Sequence, residues 1–212
     1  MRERMLLRKV NCTIVIFMLC LIVFILDFFV LLKHDTVIFS VSHLIQGNQW
    51  GILTEYGRLS GAAIYEGQWW RIITSIFLHA GIPHLAVNML ALLTVGFIVE
   101  EKIGSKKYAL VFMGTGIFSA LCTMTHTHGA VGASGAIYGV IGVFMSMLIG
   151  ESSYIRGKMT LIKWIILVLY LTLPNLSGPV TAVAHFSGLL FGFILGLFMH
   201  GFFRTPAIHS EK

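Results

Sequence analysis

The chain has 212 residues, of which 57% are hydrophobic and 11% are charged. This composition places it in the membrane class of proteins. The formal net charge of +6 does not indicate nucleic-acid binding, because the basic residues flank apolar runs and form no face with aromatic residues. We therefore expect membrane lipid as a partner and exclude nucleic acid.

The first residues predict a short cytoplasmic N-terminus over 1–10. Arg2, Arg4, Arg8 and Lys9 precede an apolar run of about 22 residues, which is long enough to span a bilayer. A cleaved signal peptide has a shorter apolar run and a small-residue cleavage site. The run is therefore predicted to be an uncleaved first span.

Six apolar segments are candidate transmembrane helices, although several are short for a hydrocarbon core of about 30 Å. They predict an all-α, polytopic membrane protein: a six-helix bundle over 11–203, followed by a short cytoplasmic tail over 204–212. The candidate spans are 11–32, 84–99, 108–125, 134–150, 159–174 and 180–203.

The distribution of basic residues predicts the orientation. If the odd loops lie outside, only Lys33, Arg58 and Arg71 are external, and the other 12 of the 15 Lys and Arg residues are internal. Cytoplasmic loops carry an excess of Lys and Arg. Both termini are thus predicted to be cytoplasmic, and the short basic N-terminus without a transit peptide favours a bacterial plasma membrane.

The first outer loop, about 33–83, is the longest connection. It carries Trp50, Trp69 and Trp70, and its segment 72–78 is apolar enough to lie in the membrane interface. Trp side chains there are more typical of interfacial anchors than of ligand sites. We expect a partly embedded loop.

Three polar residues are predicted to share one depth. His84, Ser134 and His185 lie about 16, 17 and 19 residues from the inner charged ends of their spans. At 1.5 Å per residue these separations correspond to about 24–29 Å. The three side chains therefore fall in one layer near the outer surface.

Ser134 begins the fourth span between Gly132 and Gly135. A serine in a membrane helix commonly bonds a backbone carbonyl or packs against another helix. At a helix start, however, free N–H groups favour developing negative charge, and no side chain at 132 or 135 blocks the hydroxyl. Ser134 is a candidate nucleophile.

His185 is either a structural histidine bonded to a carbonyl or a functional group facing the protein interior. Small residues follow it on one face of the sixth span, and similar residues line the fourth span. Such faces let two helices approach closely, near enough for a serine–histidine hydrogen bond of about 2.6–3.2 Å. These residues are Gly188, Gly192 and Gly196 on the sixth span and Gly135, Gly139 and Gly142 on the fourth.

Neither of these two spans carries a carboxylate near its outer end, so a serine hydrolase here would use a dyad. Tyr138, one turn below Ser134, either stacks on the imidazole or is a plain core residue. His84 and Asn88 are four residues apart and share a helix face. They either associate helices or donate to an oxyanion beside the Ser134 N–H.

A metal or cofactor site is not predicted. His79, His84, His126 and His128 could gather outside, but no H-E-x-x-H motif is present and no intramembrane acid pairs with them. An aspartyl protease needs two buried aspartates, and only Asp27 is available. The odd number of cysteines provides no disulfide framework: Cys12, Cys20 and Cys122.

From residue 65 onward the chain resembles the rhomboid intramembrane serine proteases. Each matching piece is weak alone, but together, in this order and at matching depth, they are specific. The pieces are Trp70-Arg71, His79, His84-x-x-x-Asn88, Gly132-Ala133-Ser134-Gly135 with Tyr138, and Ala184-His185-x-x-Gly188-x-x-x-Gly192.

The resemblance implies a six-helix rhomboid-like fold and a role for each matching residue. Ser134 would be the nucleophile and His185 the general base and then acid. His84, Asn88 and the Ser134 N–H would form the oxyanion hole, and Tyr138 would stack on His185. Arg71 and His79 would hold the first outer loop. Gly188 and Gly192 are expected to support the helix contact. Substrates would be membrane-spanning proteins, cut near the outer face through an acyl-enzyme.

Two other functions compete with this interpretation. A membrane chaperone or scaffold could use the same fold to capture unstable helices, and it would not need the Ser134 hydroxyl. A channel or transporter is disfavoured, because apart from Asp27 few charged residues fall inside the spans and no internal repeat is evident.

Overall fold

The computed structural model of the chain describes residues 11–34, 52–126, 129–150, 152–172 and 178–203. Within these ranges the chain forms helices and a single isolated bridge between Leu59 and Ala130, with no strand. This confirms the predicted all-α class. The predicted cytoplasmic ends, 1–10 and 204–212, lie outside the described residues.

Ten α-helices follow one another in the described ranges, and a single 3-10 turn, Met124–His126, follows the sixth. The helices are α1 Cys12–His34, α2 Ile52–Gly57, α3 Gly61–Tyr65, α4 Arg71–Phe77, α5 Ile82–Ile103, α6 Ser105–Thr123, α7 Ser134–Gly150, α8 Ser152–Lys158, α9 Leu161–Thr172 and α10 Pro179–Phe203.

A helix lies in each of the six predicted spans. Three helical segments are long and apolar enough to cross a membrane: Cys12–Val30, Ile82–Ile103 and Pro179–Met199. The apolar segments Ser134–Ile149 and Leu161–Thr172 are shorter. The count of six spans, and the embedding of the first outer loop, therefore stay predictions.

Helix α7 is the centre of the bundle. It is apolar all round and is buried by α5, α6 and α10. Its buried side chains include Ala136, Ile137, Val140, Ile141, Val143, Phe144 and Met147. Because Ser134 begins this helix, the packing of α7 determines where the serine lies.

The most extensive helix contact joins α7 to α10. Backbone meets backbone there: a Cβ at Gly188 would overlap the carbonyl oxygen of Gly135, and one at Gly192 would overlap that of Gly139. Small residues in membrane helices permit such close approach. The four-residue spacing of the glycines accounts for this contact.

Helix α1 packs on the bundle through a narrow stripe that includes Thr13, Ile16 and Cys20. Its N-terminal end is held by Glu100 of α5. The Glu100 carboxylate accepts hydrogen bonds from the N–H groups of Cys12 and Thr13 at 2.6 and 2.8 Å and from the Thr13 hydroxyl at 2.7 Å. It thus satisfies backbone donors that have no partner within the helix.

The other end of α1 is tied to α2 by Asp27. One carboxylate oxygen accepts the N–H of Leu53 at 2.9 Å, and the other accepts the Thr54 hydroxyl at 2.6 Å. Asp27 is buried, and these two donors satisfy its oxygens. The carboxylate therefore fixes the start of α2 against α1.

The segment α2–α4 also contacts the chain just before Ser134. Leu59 and Ala130 exchange two backbone hydrogen bonds, of 2.8 and 3.0 Å, and the carbonyl of Ser75 accepts the N–H of Gly132 at 2.9 Å. These bonds fasten the turn that leads into α7.

Replacement of Gly188 by alanine should destabilise the protein, because the added Cβ would overlap the carbonyl oxygen of Gly135. We expect the free energy of unfolding in detergent to fall by about 2 kcal/mol or more, as for other overpacked contacts. The matched control is Gly114→Ala on α6, where an added Cβ would have no neighbour within 4 Å, so the change should stay within about 1 kcal/mol. Equal effects in the two variants would contradict the backbone contact.

Candidate active site

The turn before Ser134 requires glycine at position 132. Gly132 has φ +126°, in the region that side chains disfavour. A Cβ built there would lie 2.8 Å from Cε1 and 2.9 Å from Nε2 of His84, and 3.8 Å from Nδ2 of Asn88. The absent side chain therefore brings the Ser134 turn against the polar face of α5.

A cavity of about 510 Å³ opens at this end of the bundle. Alanines and valines supply its apolar lining, and its polar lining consists of His84, Asn88, Thr123, Ser134, Tyr170, Thr181 and His185. Four predicted site residues from three helices thus face one space. A reacting group in this cavity would be within reach of both a hydroxyl and an imidazole.

The His185 ring is buried and stacked on Tyr138. The ring centroids are 4.1 Å apart and the planes differ by 7°. The Tyr138 hydroxyl donates to the backbone carbonyl of Tyr170 at 2.7 Å, so Tyr138 is held at both its ring and its hydroxyl. This stacking limits rotation of the His185 imidazole.

Ser119 of α6 supports the backbone just before His185. Its hydroxyl donates to the carbonyl of Ala184 at 2.8 Å. The bond passes beside Gly135, where a Cβ would overlap the Ser119 hydroxyl. Gly135 therefore serves two contacts, one to α10 and one that lets α6 reach α10.

His84 presents one ring nitrogen to the turn. Its Nδ1 accepts the backbone N–H of Ala80 at 3.4 Å, which places the proton of the neutral ring on Nε2. Nε2 and Cε1 are the ring atoms that face Gly132. His84 can thus offer an N–H donor beside the start of α7.

Asn88 is buried, with 1% of its surface exposed, and its amide has partners on both sides. Nδ2 donates to the carbonyl of His84 at 2.9 Å, and Oδ1 accepts the Tyr170 hydroxyl at 2.7 Å. An amide nitrogen carries two protons. One of them remains for a group in the cavity.

The two predicted loop-holding residues lie away from the cavity. Arg71 donates from Nη1 to the carbonyls of Glu55 and Arg58 at 2.8 and 3.0 Å, and from Nε to Gln68 at 2.8 Å. These bonds join the start of α4 to the end of α2.

His79 lies between α4 and α5, with Nδ1 3.3 Å from the carbonyl of Phe77 and its ring 5.3 Å from that of His84. Burial, and to a lesser extent the nearby His84, lowers the pKa of His79 to about 3. The ring is therefore neutral when the protein is folded at neutral pH.

Of the histidines considered for a metal, His128 and the side chain of His126 lie outside what the structure describes. In the described part of the chain, no group of three His, Cys, Asp or Glu residues is arranged to hold a metal ion.

Sequence reasoning missed two residues that contact the site, Tyr170 and Ser119. Each lies in a predicted span and looks like an ordinary core residue there. Their partners, Asn88 and Ala184, belong to other helices. Only the lateral register between helices identifies these bonds, and hydropathy does not contain that register.

Comparisons with known proteins identify a family model and several relatives that the chain matches. The family model described as "Rhomboid domain" matches residues 66–202. The chain is 35% identical over 149 residues to "RHOMBOID-like protein 5" of Arabidopsis thaliana, covering 68% of this chain and 48% of that protein. It is 31% identical over 142 residues to "Rhomboid protease GluP" of Bacillus subtilis, covering 66% of this chain and 28% of that protein. The chain thus spans about half or less of the length of these relatives.

The stability of the protein should decrease in mild acid because of His79. The pKa of His79 is about 3 when folded against about 6.5 when unfolded, so between these values only the unfolded chain binds the proton. The stabilisation is complete above pH 6.5 and declines as the pH falls, by up to about 1.4 kcal/mol per pH unit. Chemical unfolding in detergent from about pH 7 to about pH 5 measures it. In His79→Gln the decline should be shallower by that amount, and identical slopes would refute the assignment.

Proposed function

Because the chain belongs to the rhomboid family, we propose that it is an intramembrane serine endopeptidase that acts through a Ser134–His185 dyad. The observation that carries the proposal is the single cavity lined by Ser134, His185, His84 and Asn88. The protein is an integral membrane protein, with helices long and apolar enough to cross a bilayer.

The proposed chemistry follows from the atoms that face the cavity. His185 accepts the proton of the Ser134 hydroxyl while the serine oxygen attacks a peptide carbonyl. The resulting oxyanion is stabilised by Nε2–H of His84, the remaining amide proton of Asn88 and the backbone N–H of Ser134. His185 then gives its proton to the leaving amine, and water hydrolyses the acyl-enzyme by the same steps.

The position of Ser134 at the start of α7 supports this role. The first N–H groups of a helix have no partner within the helix, and the positive end of the helix dipole favours a developing oxyanion. The Tyr138 ring, stacked on His185, keeps the imidazole oriented. No carboxylate is required in this scheme, since stacking replaces the orienting hydrogen bond of a third residue.

The remaining proposals concern topology and substrate. Six spans over 11–203, with both ends cytoplasmic, would place the cavity near the outer face. Substrates would be membrane-spanning proteins cut near that face. Relatives come from a bacterium and from a plant, and placement in a bacterial plasma membrane stays a prediction.

Replacing Ser134 by alanine should abolish proteolysis, with a decrease in kcat of at least about a thousandfold. Cleavage of a model single-span substrate in proteoliposomes measures this decrease, and His185→Ala should show a similar loss of kcat. The matched control is Ser146→Ala in the same helix, whose hydroxyl donates to the Val143 carbonyl, and which should cut normally. Cutting by Ser134→Ala would refute the nucleophile. If neither the wild type nor Ser134→Ala cuts the substrate, but the wild type binds it, the scaffold function is favoured.

Replacing Asn88 by alanine should weaken proteolysis without erasing it, because His84 and the Ser134 N–H remain as donors. Loss of one oxyanion donor lowers kcat by about a hundredfold to a thousandfold. Thr94→Val, which removes another buried polar group of α5 whose hydroxyl bonds Leu90, should retain kcat. If Asn88→Ala instead unfolds the protein, the role of Asn88 is structural.

A further inference from the structure

Tyr170 joins the two halves of the proposed site. Its hydroxyl donates to Oδ1 of Asn88 at 2.7 Å, and its backbone carbonyl accepts the Tyr138 hydroxyl at 2.7 Å. The Tyr138 and Tyr170 rings are 5.2 Å apart. Tyr170 therefore contacts both the amide proposed for the oxyanion hole and the ring that stacks on His185.

The Asn88 amide can act as a donor only in one orientation. An amide has a donating nitrogen and an accepting oxygen, and a flip exchanges them. In the flipped orientation, Oδ1 would face the carbonyl oxygen of His84, which now accepts from Nδ2 at 2.9 Å. An oxygen turned toward the cavity would also repel an oxyanion. Any bond that favours the unflipped amide thus favours catalysis.

The Tyr170 hydroxyl makes such a bond. Tyr170 has 4% of its surface exposed and Asn88 has 1%, so water cannot readily take the place of either partner. An unmade hydrogen bond between groups this buried is costly. Donation from the phenol therefore holds Oδ1 away from the reacting atoms.

We propose that Tyr170 is a positioning residue, whose hydroxyl fixes the Asn88 amide with its nitrogen toward the cavity before substrate binds. The inference rests on the proposed peptidase function. Preorganised donors stabilise a transition state without reorganising at the moment of reaction. Tyr170 would contribute to kcat through Asn88.

The position of Tyr170 links the Asn88 amide to a peripheral helix. It lies near the end of α9, a 12-residue helix that packs mainly on α5. Much of α9 faces outward, with exposed side chains that include Leu161, Ile162, Ile165 and Val168. The orientation of the Asn88 amide thus depends on how this peripheral helix is seated.

Tyr170→Phe tests the proposal, since it removes the hydroxyl and keeps both the ring and the backbone carbonyl. Cleavage of a single-span substrate in proteoliposomes should show kcat about tenfold lower per folded molecule, with KM within about twofold. In the Asn88→Ala background the same change should have no further effect, because the amide is already absent. A purely structural role would reduce stability and add to the effect of Asn88→Ala.

The matched control is Tyr154→Phe, which also removes a tyrosine hydroxyl bonded to α5, at the carbonyl of Ile98, away from the cavity. It should leave kcat unchanged. If wild type cuts in a Ser134-dependent manner and Tyr170→Phe cuts equally fast per folded molecule, the inference is overturned while the peptidase function stands. Additive losses in the double variant would also overturn it. Absence of Ser134-dependent cutting in wild type would overturn both.

Discussion

The contact between the backbones of α7 and α10 is the constraint on which the site depends. Gly188 and Gly192 lie against the carbonyl oxygens of Gly135 and Gly139, so no side chain separates the two helices. Ser134 begins one of these helices and His185 lies near the start of the other. Contact at this range fixes both the spacing and the register of the pair, so the serine and the histidine face the same cavity.

Around this contact, single hydroxyl groups orient the side chains and backbone carbonyls that the glycine contacts do not hold. Ser119 holds the carbonyl that precedes His185, and Tyr138 and Tyr170 connect the imidazole to Asn88. Each bond joins two helices, and each is buried or nearly so. A buried hydrogen bond is electrostatically stronger than one in water, so each of these bonds has a large effect on orientation.

Part of this arrangement can be predicted from the sequence. Counting from the charged helix ends predicts that His84, Ser134 and His185 lie in one layer, because depth depends only on the helix rise and on where charged residues meet the membrane surface. In the structure all three line one cavity. The glycine spacing likewise indicated which faces meet. The lateral register between helices cannot be predicted in this way. The hydrogen bonds from Tyr170 to Asn88 and from Ser119 past Gly135 to Ala184 depend on how the helices are rotated about their axes. The short helices α2–α4 were also missed, since nothing periodic marks them within a predicted loop.

Helix α1 is attached to the bundle by a different principle. Glu100 accepts from its first backbone N–H groups, and near the far end its own Asp27 accepts from α2. Between these two carboxylates its surface is largely exposed, with few buried positions. The two carboxylates thus supplement the narrow packed stripe of Thr13, Ile16 and Cys20. The outward surface of α1 is consequently free to vary with the lipid around it. The same helical bundle could therefore be adapted to bilayers of different composition by changing the apolar residues of one helix alone.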